Sequence, residues 1–71
     1  MNDSFFTGQL RIVTQNTWFL DVEDNVRDID EGESIIIFEK KMRWRTPYFQ
    51  VLTSFGLRLM REDEINLHTK C

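Results

Sequence analysis

The chain has 71 residues, a net charge of −3 and an apolar share of 41%, which bounds it to one small domain of marginal stability. Six Phe, two Trp and one Tyr beside only three Gly and one Pro exclude a disordered or low-complexity chain. One cysteine, Cys71, excludes an internal disulfide or a cysteine-based metal site, and no apolar run approaches the ~20 residues of a membrane span.

The opening Met1-Asn2-Asp3-Ser4 carries no basic residue and leads only to the short pair Phe5-Phe6. It does not read as a secretory signal, so a cytoplasmic, reducing setting is expected. Residues 1–7 are expected as a tail in which Phe5-Phe6 either folds back or adds to a partner's sheet or groove. The expected domain is 8–68, with 69–71 as a C-terminal tail.

Gly8 to Thr14 is rich in β-branched residues and reads as a first strand, with Leu10 and Ile12 inward and Arg11 in water. Trp18-Phe19 follows without a clean period. The pair either closes one mouth of the fold or forms an aromatic patch continuous with Tyr48 or Phe55. Asp21 to Gly32 is dense in Asp, Asn and Glu and reads as a long acidic loop pinned by Val22, Val26 and Ile29, although their spacing also fits a helical turn.

Glu33 to Lys40 gives the strongest strand signal. Four consecutive large apolar residues, Ile35 to Phe38, imply burial on both faces or a strong bend. Tyr48 to Thr53 is the next strand, with Pro47 at its start because proline cannot donate to a ladder. Ser54-Phe55-Gly56 is a turn, Leu57 to Met60 a short strand, Arg61 to Glu64 one helical turn, and Ile65 to His68 a last strand. Alternation predicts a core of Leu10, Ile12, Ile35, Ile37, Phe49, Val51, Leu57, Leu59 and Ile65, with Gln50 and Arg58 in water alongside Arg11.

The expected fold is all-β: a five-stranded barrel with a long acidic loop after the first strand, closed to protect its edges. Gly8 through Trp18, the turn Glu31-Gly32-Glu33 before Ile35–Phe38, and Val51 to Gly56 running into Arg61 to Ile65 carry a resemblance. Over residues 8–67 the chain resembles the small SH3-like barrel proteins of tailed phages and bacteria. The resemblance implies a binding module and no more; the function expected of it is that of a phage-encoded protein that docks on and modulates a host protein in the host cytoplasm. It does not extend to polyproline binding, because Trp44 falls in a basic hairpin and no Ala-Leu-Tyr-Asp-Tyr run exists.

Catalytic chemistry finds little support. His68 is the single histidine, and nothing in the spacing supplies a nucleophile for it to activate. Asp28-Ile29-Asp30-Glu31-Gly32 has the alternating carboxylates of a calcium loop, but Phe38 stands where the bidentate Glu belongs. The expectation is a non-enzymatic protein with no metal and no cofactor.

Charge is divided unevenly. Residues 1–39 hold two cations against nine acids, and residues 40–71 hold seven against three, a dipolar surface suited to steering partners. Lys40, Lys41, Arg43, Trp44 and Arg45 concentrate the positive end. Trp and Arg are enriched at interface hot spots, so these five residues with Tyr48, Trp18 and Phe19 are the candidate partner-binding set. The alternative is a nucleic-acid accessory whose hairpin cations meet phosphates while Trp44 stacks on a base. Against it stands a sequence pI near 5.0, far below that of such binders. An exposed strand edge is also a route to a homo-oligomer.

Overall fold

A computed structural model of the chain describes residues 7–71; the Phe5-Phe6 pair lies outside them. Strands β1 (Leu10–Val13), β2 (Thr17–Leu20), β3 (Val26–Ile29), β4 (Ser34–Arg43), β5 (Thr46–Thr53) and β6 (Gly56–Arg61) are followed by helix α1 (Glu62–His68) and strand β7 (Thr69–Lys70). They form one antiparallel sheet in the order β3-β2-β6-β5-β4-β1-β7. The all-β class holds, with seven strands in an unclosed sheet in place of the expected five-stranded barrel. Among the described residues no helix is long and apolar enough to cross a membrane.

The acidic stretch is a hairpin, not a loop. Thr17 to Leu20 pair with Ile29 to Val26, and of the three expected pegs only Ile29 is buried, with Val22 and Val26 exposed. Apolar residues at Trp18–Leu20 on one side of Asp21–Asn25 and at Val26 and Ile29 on the other pair as two short strands, which leaves the Asp and Asn cluster in the turn it favours.

β4 carries the isoleucine run with strict alternation, Ile35 and Ile37 buried, Ile36 and Phe38 exposed. Burial on both faces is therefore corrected. The bend is present: Ile37 pairs with Val51 but Lys40 with Phe49, one extra residue on β4 and hence a bulge that turns the strand.

The C-terminal segment differs from expectation in element type. Residues 62–68 form a two-turn helix with Glu62, Asp63 and Glu64 in its first turn, where carboxylates suit the positive end of the backbone dipole. Ile65 is its buried residue, which keeps the core position while changing the element that supplies it. Thr69–Lys70, expected in a tail, pair with Val13 and Ile12 of β1.

The core is Val13, Phe19, Ile29, Ile35, Ile37, Phe49, Val51, Met60 and Ile65. Leu10 and Leu57 are exposed, and Ile12 and Leu59 half-buried, so the inward phase of β1 and of β6 is the reverse of that expected. In β1 the reason is Arg11, which is only 6% exposed. Its Nε donates to Thr69 Oγ1 at 2.6 Å, its Nη2 to the Thr69 carbonyl at 3.0 Å and its Nη1 to Gln9 Oε1 at 2.9 Å. A guanidinium with five donors can be buried where fixed oxygens receive them. On β6 the long thioether of Met60 fills the core and Leu57 turns outward.

Candidate functional site

The β4–β5 hairpin closes through Arg43 opposite Thr46, which leaves Trp44-Arg45 as a two-residue turn. Both residues are left-handed, with φ of 50° and 62°. Mirror-image turns of this kind are favoured because their twist matches that of the strands, and they ordinarily use Asn-Gly. A bulky residue there is an outlier that costs of order 1–3 kcal/mol. Hairpin pairing imposes it here, with Met42 opposite Pro47 and Lys41 opposite Tyr48.

The turn holds the Trp44 side chain out of the sheet, 63% exposed, yet braced. Its ring meets Tyr48 edge-on at 6.2 Å, and Tyr48 in turn meets Trp18 at 6.4 Å. The Arg43 guanidinium lies 4.8 Å from the Trp44 ring centroid, within cation–π range. Tyr48 is buried and Trp18 half-buried, so the three rings run from sheet to tip with the last the most exposed.

Arg43 also reaches across to the acidic hairpin, where its Nη2 donates to Asp24 Oδ1 at 2.7 Å. The basic tip and the turn of the acidic hairpin are thus joined. Asp24 has a φ of 64°, a conformation Asp tolerates better than most residues. Asp21 shapes that turn. Its Oδ1 accepts from the backbone N–H of Glu23 at 2.8 Å and of Asn25 at 3.0 Å, and its Oδ2 from Arg27 Nε at 3.0 Å. The Asn25 amide first, then the Arg27 guanidinium and the Glu23 amide, hold the Asp21 carboxyl below its ordinary value of 3.8.

The other expected site residues divide. Lys41 Nζ lies 3.8 Å from Glu39 Oε2, Lys40 sits half-buried opposite Phe49 beside the bulge, and Arg45 is exposed in the turn. Phe19 is not part of the Trp44–Tyr48–Trp18 series of rings. It is buried in the core, its ring against Phe55 at 5.7 Å. Asp24, paired with Arg43, and Asp21, which shapes its turn, adjoin the hairpin tip and were not among the expected residues; a turn-forming cluster between two segments with apolar residues was the hairpin signal that would have found them.

Elsewhere, His68 Nε2 lies 3.5 Å from Glu64 Oε1, which accepts from Thr17 Oγ1 at 2.6 Å. That contact joins α1 to β2. Among the described residues no group of three or more His, Cys, Asp or Glu side chains gathers to hold a metal ion. Comparison of the chain with protein-family models, curated proteins and solved structures finds no match.

Proposed function

We propose that this protein is a non-enzymatic binding module that docks on another protein through Arg43, Trp44 and Arg45, with Tyr48 and Trp18 as the support behind them. The observation that carries the reading is the indole of Trp44, held in solvent by a left-handed turn that its residue type disfavours. Strained backbone and exposed aromatic area are both unfavourable for folding alone, and such strain concentrates at functional sites. Trp44 offers rigid apolar area with little entropy left to lose, and Arg45 is placed to form a bidentate pair with a partner's carboxylate.

The chain order supports an SH3-like arrangement in an opened form. A first strand is followed by a hairpin excursion, then by the β4–β5–β6 meander, a short helix and a last strand returning beside the first. On that reading the module is of the phage-encoded kind that modulates a host protein in the host cytoplasm. The nucleic-acid reading is weaker because Arg43 and Lys41 already face Asp24 and Glu39, and the phosphate-neutralising charge of the hairpin falls accordingly.

Trp44→Ala is expected to weaken partner binding by about 2 kcal/mol or more, as at a hot spot, with no loss of fold. Titration of single- and double-stranded oligonucleotides at physiological salt runs beside it. Micromolar oligonucleotide binding lost with Trp44→Ala would replace the protein-docking reading with the nucleic-acid one.

A further inference from the structure

The outward phase of β1 and β6 has a consequence across the sheet. Leu10 pairs with Ile36, Ile36 with Leu52, and Leu52 with Leu57. Four large aliphatic side chains therefore stand in one cross-strand row over β1, β4, β5 and β6, each between 37% and 58% exposed. At about 4.8 Å per strand the row is about 14 Å long. The positions two residues along on the same face, Ile12, Ser34, Phe38, Gln50 and Leu59, carry no charge either, in a chain that is 30% charged. Soluble monomers rarely expose a contiguous apolar patch of more than a few hundred Å².

We propose that this face is the contact between two copies of the chain, sheet against sheet about a two-fold axis. Two observations favour a second copy over an unrelated partner, and a third favours this face over the edges of the sheet. An uncharged row is self-complementary, so two molecules of net charge −3 meet there without facing like charges. The border of the face carries both signs, Lys70 opposite Ile12 and Glu33 ahead of Ser34, so that a two-fold can set one against the other. The strand edges are poor alternatives. β7 has two residues, and β3 presents Arg27 and Asp28, charges that blunt edge pairing. The patch is smaller than the roughly 800 Å² per partner of a standard interface, so the dimer is a weak, concentration-dependent one. It leaves Trp44 on the hairpin tip free for the docking described above.

Sedimentation equilibrium of the full chain tests this with two variants. Leu10→Lys combined with Leu57→Lys lowers the net negative charge yet places like charges on the contact, and is expected to weaken self-association at least about 30-fold. Val26→Lys, on the β3 edge, is expected to leave it unchanged. Dilution of the unsubstituted protein followed by amide chemical shifts reads the same face without any substitution, with shifts expected on β1, β4, β5 and β6. The proposal is overturned by a monomer at all concentrations up to about 1 mM, by a folded Leu10/Leu57 variant that associates as before, by loss of association in Val26→Lys, or by dilution shifts confined to β3 or the hairpin tip.

Discussion

Ile37→Ala is expected to destabilise the protein by about 2–5 kcal/mol, while Ile36→Ala, one residue earlier in the same strand, costs under about 1 kcal/mol. Ile37 is fully buried and sits just before the β4 bulge, opposite Val51. Truncation there removes buried methyl groups and leaves a cavity in a layer that also holds Ile35, Phe49 and Val51. A domain of this size has little stability in reserve, so a loss at the upper end of this range approaches the whole of it. Ile36 belongs to the outer row, and its truncation opens no cavity. Thermal or urea unfolding of the two variants measures the contrast directly. Equal losses in dilute, monomeric protein would mean that Ile36 is as buried within the chain as Ile37 and that the register is wrong.

The second large effect is at Arg11. Arg11→Ala is expected to cost about 3 kcal/mol, because hydrogen bonds from a charged group are worth about 1.5–3 kcal/mol and a buried acceptor left without its donor adds a penalty. The acceptor in question is the Thr69 carbonyl. Thr69 Oγ1 accepts from Arg11 and itself donates to the Ile65 carbonyl at 2.5 Å, so one side chain ties β1, β7 and the end of α1 together. Arg11→Lys keeps the charge but not the planar fork and is expected to recover less than half of the loss. Hydrogen exchange in α1 and β7 supplies the local reading, with opening of both expected in Arg11→Ala. A variant as stable as the parent would show that the guanidinium is not what docks the C-terminus.

The strands built on consecutive apolar residues were legible because their burial follows from bulk: Ile35, Ile37, Phe49 and Val51 occupy the core as alternation requires. Ile65 was legible as a core residue but not as a helical one, since a single inward residue per turn has the same signature as a short strand. Leu10 and Leu57 were misread for one reason. Alternation gives two phases, and the choice between them rested on keeping Arg11 and Arg58 in water. Arg11 is buried against two oxygens of Thr69, 58 positions further along, a long-range compensation that no local pattern carries. In the candidate site, the basic tip and Trp44 were visible as composition. Their left-handed turn was not, because Trp-Arg is the opposite of what such a turn prefers, and the Arg43–Asp24 contact depended on recognising the acidic stretch as a hairpin.

That same mismatch between residue and turn gives the most direct test of the account. Replacing Trp44-Arg45 by Asn-Gly supplies the residues the turn favours. The relieved strain, about 1–3 kcal/mol per residue, exceeds the Trp44–Tyr48 and Arg43–Trp44 contacts given up, each worth about 0.5–1.5 kcal/mol. The variant is expected to melt several degrees above the parent. Parent and variant are then immobilised at equal density, and the proteins each captures from nuclease-treated bacterial lysate are compared. The variant is expected to be more stable and to lose a protein that the parent retains. A variant that melts lower, or one that captures the same protein equally well, would contradict the claim that Trp44 is held in its turn for docking.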